Sequence, residues 1–242
     1  MKGMMRKRVS FFTKGGAWAE YALADRSETM EINAEDMQQA ACFCVNPLTA
    51  LLLLTSFQGS PFLINAGTSA LARILIQQAA IDHIKAVAIV RRAEAQTEIQ
   101  AIGAQVLVQG SEQYFAELQA LKKEGKIKYA VDLVGGKATA DLFNTLAPGG
   151  VVNIVGNMSL RPVSGIDDRA MRYENKQLVG FYLYHAWSAL SLTLQSQHIH
   201  SLLTKYRSSL SVSIAGHHSL EAFDTAIAAS KTHAGKQVLT LF

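Results

Sequence analysis

From Pro61 onward, short aliphatic or β-branched runs alternate with longer stretches whose apolar residues recur at helical spacing. Phe62, Leu63, Ile64, Asn65 and Ala66 predict a buried strand that breaks at Gly67-Thr68-Ser69. Leu71, Ile74, Leu75 and the Gln78-Ala79 pair then fit one face of a helix. Ala86–Val90 predicts a second strand, followed by a helix from Ala93 that stops at Gly103, a residue suited to closing a helix. A third strand at 106–108 precedes a helix bearing Tyr114, Phe115, Leu118 and Leu121, which ends near Gly125. Residues 129–134 predict a fourth, with Gly135-Gly136 beyond it and a helix carrying Leu142, Phe143 and Leu146. The turn Pro148-Gly149-Gly150 leads into a fifth strand at 151–156, and a sixth fits 177–183.

Strands that are apolar throughout belong to a parallel sheet covered on both faces. Repeated strand–helix units with right-handed crossovers make that sheet doubly wound, so the expected class is α/β of the Rossmann type. The flanks are less regular. Residues 185–210 read as mainly helical, with Leu190, Leu194, His198 and Leu202 near one face; a helix follows at 220–230 and a closing strand at 236–242. In the first sixty residues, 8–12 and 17–23 read as short strands around Gly15-Gly16, too few to enclose a core of their own.

With 242 residues, 49% of them hydrophobic and 17% charged, the chain has material for one large domain or one domain and part of another, and disorder is excluded. The longest apolar stretch, 42–54, is broken by Asn46, Pro47 and Thr49 and falls short of the roughly 20 residues that span a bilayer, so no membrane association is expected. The net charge of +4 is mild, and the one basic cluster, Lys2, Arg6, Lys7 and Arg8, reads as a solvated end; no nucleic-acid motif accompanies it. No secretory signal pattern follows that cluster, so no signal peptide is read there, and the cytoplasm is expected from the cysteines that follow. Cys42 and Cys44, two apart in an apolar run, would point to opposite faces of an extended segment and read as buried thiols; no second Cys or His pair completes a zinc site, so no metal is expected. His217 and His218 are adjacent, so their side chains diverge, and they read as part of a surface loop.

A strand that turns tightly into a helix forms an anion site, because the free N–H groups and the dipole of the helix start favour phosphate. Here the turn is Asn65-Ala66-Gly67-Thr68-Ser69-Ala70-Leu71-Ala72. Gly67 is expected to take the sharp turn, while Ala70 and Ala72 occupy positions where glycine lets backbone approach a pyrophosphate. An ordinary strand–helix turn with a Thr or Ser cap fits the same residues. The second strand discriminates. Where an NAD site carries an acidic residue, this chain has Arg91-Arg92, and guanidinium groups bind a 2′-phosphate, although two arginines also suit a solvated loop. Gly135-Gly136 and Gly156-Asn157-Met158 follow strands four and five, at the carboxyl ends where such sheets bind ligands; each alone reads more readily as a plain turn, while together they favour a ligand cleft.

These residues resemble the medium-chain dehydrogenase/reductase superfamily, specifically its zinc-free branch of quinone oxidoreductases and 2-enoyl reductases. Residues 7–9 and 16–21 resemble late strands of that family's GroES-like domain, and 45–50 resemble the helix linking its two domains. Residues 134–137 and 146–150 resemble its fourth and fifth Rossmann strands, and 235–238 its closing strand. The resemblance implies three parts: 1–45 as the remnant of a GroES-like β domain, 46–185 as the dinucleotide-binding domain, and 186–242 as helices and a closing strand returning to that remnant. Family members begin roughly a hundred residues earlier, by the usual size of a catalytic domain, so an N-terminal truncation is implied.

The implied roles follow residue by residue. Asn46 approaches the nicotinamide; Ser69, Ala70, Leu71 and Ala72 cradle the pyrophosphate, with Gly67 and Thr68 in the same cofactor-binding turn; Arg91 and Arg92 hold the 2′-phosphate. Gly156, Asn157, Met158, Phe181, Tyr182 and Leu183 line the nicotinamide ribose and ring, Gly135 belongs to the same cofactor-binding pocket, and Lys236 reaches a phosphate. Core packing for Phe181 and Leu183, and a helix cap for Asn46, are the alternatives. The expected cofactor is NADPH, the partner a small-molecule enone, quinone or related acceptor, and the assembly a homodimer through the sixth strand. No catalytic acid or base is assigned. A non-catalytic dinucleotide-binding or interaction protein, or a fragment of a longer reductase gene, stands as the other reading. If the fragment is the real product, apolar surface at residues 40–55 and on the final strand is expected to lie open.

Overall fold

The computed structural model describes residues 7–11, 13, 15–32, 37–207, 212–232 and 235–241. In chain order the elements are β1 (Val9–Phe11), β2 (Thr29–Glu31), α1 (Met37–Ala41), α2 (Asn46–Ser56), β3 (Phe62–Ile64), α3 (Ala70–Ile81), β4 (Ala86–Val90), α4 (Gln96–Ala101), β5 (Ala104–Val108) and α5 (Tyr114–Glu124). Then come β6 (Tyr129–Asp132), α6 (Ala138–Thr145), β7 (Val151–Ile154), α7 (Asp168–Tyr173), β8 (Gln177–Gly180), α8 (Leu183–Ser188), α9 (Leu192–Thr204), β9 (Ile214–Ser219), α10 (Phe223–Thr232) and β10 (Lys236–Thr240). They divide into two compact units, Met1–Thr49 with Trp187–Phe242, and Ala50–Ala186.

The unit from Ala50 to Ala186 is built on a six-stranded sheet in the order β5-β4-β3-β6-β7-β8, each neighbouring pair parallel. This is the doubly wound order expected from the repeated strand–helix pattern, with its switch point between β3 and β6. Every residue of β3 and β4 is buried, as a strand covered on both faces requires. Leu63, Val87, Ile89 and Leu107 join Tyr114, Leu118 and Leu121 of α5 and Leu142 and Phe143 of α6 in one core. Phe62, Ile64, Ala88 and Val131, which alternate with them, are buried too. Phe57 stacks on Tyr129 with ring centroids 4.9 Å apart and lies 5.3 Å from Phe62. The strands β3, β6, β7 and β8 end two or three residues sooner than the predicted strands do.

In the other unit β1 and β2 pair antiparallel, and β9 and β10 pair parallel. Several sequence expectations are corrected here. Residues 17–23 form bends rather than a strand, and Trp18, Tyr21 and Leu23 are exposed; the partner of β1 is β2. His217 and His218 lie in β9, not in a loop. Their side chains do diverge: His218 places Nε2 2.8 Å from the Gln237 Oε1, while His217 is exposed. The helical stretch after His185 splits into α8 and α9, and α9 buries Gln195 and Leu202 while Leu194 faces solvent.

Cys42 and Cys44 sit in a turn instead of an extended segment; neither forms a disulfide among the described residues, and Cys44 is buried and Cys42 half-buried. The Cys44 thiol lies 2.8 Å from the Ser10 hydroxyl, and burial pushes its pKa up to about 12. Residues 40–55 are not an open apolar surface: Ala40, Cys44, Leu48 and Leu51 to Leu54 are all buried. Lys2, Arg6, Phe12, Leu210 and Phe242, which fell within predicted features, lie outside the described residues. Among the described residues no helix is long and apolar enough to cross a membrane.

Candidate functional site

At the switch point the carboxyl ends of β3 and β6 are locked together by side chains. Asn65 follows β3 and is buried; its Nδ2 donates to Asp132 Oδ1 at 2.6 Å, and its Oδ1 accepts from the Leu133 N–H at 2.7 Å. The Asp132 carboxylate is fully buried and accepts three further bonds, from Val134 N at 3.0 Å, Gly135 N at 2.9 Å and the Thr139 hydroxyl at 2.6 Å. Four donors converge on one carboxylate, which offsets the cost of removing it from water. The lock fixes where the two strands release their loops.

The β3–α3 turn is tied down on three sides. Gly67 N donates to Ile89 O of β4 at 2.9 Å, and Ser69 N donates to Ala66 O at 2.8 Å. Ser69 caps α3, its hydroxyl accepting from Ala72 N at 3.2 Å. The left-handed residue of the turn is Ala66, at φ 47°, and not Gly67. Gly67 is required for another reason: a Cβ there would lie 3.0 Å from the Ala88 Cβ and 3.2 Å from Ile89 O. Ala72 is fully buried at the helix–sheet contact, so its methyl fills a space that glycine would leave. Ala70 and Leu71, the first two residues of α3, donate their N–H groups to no acceptor among the described residues. A twelve-residue helix therefore presents two free N–H groups and the positive end of its dipole at the sheet's carboxyl edge.

Arg91 and Arg92 follow β4 directly; both are exposed, and among the described residues neither forms an ion pair. Beyond β6, Gly135 takes φ 73°, and a Cβ there would come within 2.6 Å of the Asn157 Oδ1. The loops after β6 and β7 run side by side: Gly156 N donates to Asp132 O, Met158 N to Leu133 O and Ser159 N to Val134 O, at 2.9–3.1 Å. Phe181 N continues the β7–β8 ladder to Ile154 O at 2.8 Å, and the Tyr182 ring meets His185 edge-on at 5.0 Å. Gly67 to Ala72, Arg91, Arg92, Gly135, Gly156 to Met158 and Phe181 to Leu183 thus all lie in the Ala50–Ala186 unit, following the carboxyl ends of β3, β4, β6, β7 and β8. Asn46, the half-buried first residue of α2, and Lys236, the first residue of β10, belong to the other unit.

Two features escaped the sequence reading. The Asn65–Asp132–Thr139 lock had a signal: single polar residues at the ends of two otherwise apolar strands. The second is Arg73 on α3, which donates from Nε to Thr68 O at 3.1 Å and from Nη1 to Glu98 of α4. No local pattern marks that pair. Among the described residues no group of three or more His, Cys, Asp or Glu side chains is arranged to hold a metal ion.

Comparison with known proteins agrees with this architecture. Residues 70–196 match the family described as zinc-binding dehydrogenase. The mitochondrial enoyl-acyl-carrier-protein reductase of Yarrowia lipolytica is 30% identical over 159 residues, covering 62% of this chain and 42% of that protein. An NADPH quinone oxidoreductase of Kluyveromyces marxianus is 27% identical over 167 residues, covering 62% of this chain and 44% of its own length. The chain thus spans less than half the length of these two relatives. The quinone oxidoreductase of Pseudomonas syringae pv. Tomato DC3000 shares the fold with a TM-score of 0.81 at 22% identity, over 96% of this chain and 74% of that one. This chain belongs to the zinc-binding dehydrogenase family, in the zinc-free branch of the medium-chain dehydrogenase/reductase superfamily.

Proposed function

We propose that this chain binds NADPH along the carboxyl edge of its six-stranded sheet and serves the reduction of an enone, quinone or related conjugated carbonyl acceptor. The observation that carries the reading is the pairing of two anion sites: the free N–H groups of Ala70 and Leu71, and the exposed Arg91 and Arg92 after the neighbouring strand. The first suits a pyrophosphate and the second a 2′-phosphate, which NADPH has and NADH lacks. The names of the Yarrowia and Kluyveromyces relatives, a reductase of enoyl thioesters and an NADPH-dependent quinone reductase, support the same class.

In this assignment Gly67 to Ala72 wrap the pyrophosphate and Arg91 with Arg92 grip the 2′-phosphate. Gly135, Gly156, Asn157 and Met158, with Phe181, Tyr182 and Leu183, line the nicotinamide ribose and ring. Asn46 and Lys236 are assigned to the nicotinamide and to a phosphate by resemblance alone. NADPH supplies the hydride when bound; the protein's part is to orient it and to keep water from the reacting face. The Asn65–Asp132 lock serves that end by holding the loops after β3 and β6 in register. The exposed edge of β8, where Val179 is 41% exposed, is the surface we assign to a homodimer. Two cysteines outside any disulfide among the described residues suit a reducing compartment, and we assign the cytoplasm.

The test is NADPH oxidation by the purified protein across a panel of enones and quinones. Turnover with at least one acceptor is expected. No oxidation of NADPH with any of them would refute the reductase reading, and NADPH binding without turnover would leave a non-catalytic dinucleotide-binding protein in its place.

A further inference from the structure

Arg73 links the β3–α3 turn to α4, and nothing in the assignment above uses it. Its guanidinium spans two elements: Nε donates to the carbonyl of Thr68 in the β3–α3 turn, and Nη1 pairs with the Glu98 carboxylate on α4. α4 begins four residues beyond Arg92 and is the helix into which the Arg91-Arg92 loop runs. The turn is already tied to β4 by Gly67 N and Ile89 O. Arg73 adds a second tie from that turn, this one to α4. The guanidinium side chain is only 28% exposed, and its hydrogen bond holds the Glu98 carboxyl below the usual carboxylate range.

We infer that the Arg73–Glu98 pair is a positioning device that fixes the spacing between the β3–α3 turn and the Arg91-Arg92 loop, and thereby sets the preference for a 2′-phosphorylated dinucleotide. The inference rests on the NADPH reading given above. A dinucleotide fixes the separation of its pyrophosphate and its 2′-phosphate through the intervening ribose. A site that holds both receptors at that separation before binding avoids the ordering cost of bringing them together. A ligand without the 2′-phosphate gains nothing from that arrangement, so loosening the tie weakens one cofactor and spares the other.

Simple electrostatics makes the opposite prediction for Glu98. The carboxylate is a negative charge near an anion site, and removing it would tighten binding of every phosphate ligand. The two accounts therefore differ in the sign of a single substitution. Calorimetric titration of the full chain with NADPH, NADH and adenosine 2′,5′-bisphosphate, for the parent, Arg73→Ala, Glu98→Ala and the double variant, separates them.

Each single substitution is expected to weaken NADPH and adenosine 2′,5′-bisphosphate by about fivefold, the scale of one partly exposed ion pair, with NADH changed by less than about twofold. The double variant is expected to match the singles, since the two side chains act as one unit. Tighter NADPH binding by Glu98→Ala, or equal loss of NADPH and NADH in the variants, would overturn the inference while leaving the cofactor assignment intact. Failure of the parent to bind any of the three ligands would overturn both. Circular dichroism of each variant separates a folding defect from a binding effect. If Arg73→Ala alone fails to fold, Glu98→Ala, at an exposed helix position where alanine is favourable, still decides the sign.

Discussion

Replacing Asn65 with alanine removes one side chain and breaks two buried bonds. Asp132 loses its donor at 2.6 Å, and the buried N–H of Leu133 loses its acceptor at 2.7 Å. A hydrogen bond to a charged group contributes about 1.5–3 kcal/mol, and a buried donor left without a partner costs about 1–3 kcal/mol more. Neither orphan has an easy substitute, because Asp132 is fully buried and its other three donors are already engaged. The expected loss is therefore on the order of 3–5 kcal/mol, a large share of the roughly 5–15 kcal/mol that holds a typical domain folded.

Asp132→Asn is the informative companion. The amide oxygen can keep the bonds from Asn65, Val134 and Gly135, and the Thr139 hydroxyl can turn round to accept from the new NH₂. That variant is expected to lose only about 1–2 kcal/mol. Urea unfolding followed by near- and far-ultraviolet circular dichroism gives both values, with coincident transitions as the check on cooperativity. Hydrogen exchange at the Leu133 amide reads the local consequence, and Asn65→Ala should accelerate it well beyond the change at β4 amides. An Asn65→Ala variant within about 0.5 kcal/mol of the parent, at unchanged slope, would refute the claim that this lock holds the switch point.

Other consequences can be measured alongside. Gly67→Ala forces a methyl against Ala88, Val90 and the Ile89 carbonyl and should cost about 1–3 kcal/mol, read as a lowered midpoint in thermal unfolding. Arg91→Ala and Arg92→Ala should each weaken NADPH by about tenfold and leave NADH nearly unchanged, by calorimetry. Cys44 keeps its proton in the folded chain up to about pH 12, against an ordinary value of 9.0, so the unfolded chain ionises first as pH rises. The stability of the parent relative to Cys44→Ala should therefore be constant below pH 9 and decline between pH 9 and pH 12. For the same reason a thiol reagent at pH 8 should label the half-buried Cys42 before Cys44, which peptide mass mapping resolves.

The sequence was most legible where a single physical demand acts over several residues. Ala86–Val90 is apolar at every position because the strand is covered on both faces, and its predicted limits match the strand found. Gly125 ends α5 in a left-handed conformation, where the helical pattern stops. Elements supported by alternation alone were harder to read. β9 runs Ile-Ala-Gly-His-His-Ser, too polar and too rich in small residues to show a strand pattern, and only its parallel partner β10 defines it. Residues 17–23 carry Trp18, Tyr21 and Leu23, which read as strand formers, yet these side chains face solvent and no ladder forms.

The candidate site divides the same way. The place of Arg91-Arg92 in the fold was legible because it follows directly from the apolar strand before them. The role of Gly67 was located but misjudged: Ala66 takes the left-handed turn, and Gly67 serves close packing against β4. Asp132 is one polar residue in an apolar run, and its partner Asn65 lies 67 positions earlier, beyond the reach of any local pattern. Arg73 and Glu98 lie 25 residues apart, and only the tertiary fold brings them within reach of each other.

The most direct test of the central claim is a calorimetric titration of the full chain with NADPH and, separately, with NADH. The structure predicts saturable NADPH binding that is tighter than NADH binding and that loses this preference when Arg91 and Arg92 are both replaced by alanine. No binding of NADPH at millimolar concentration, or a preference for NADH, would contradict it.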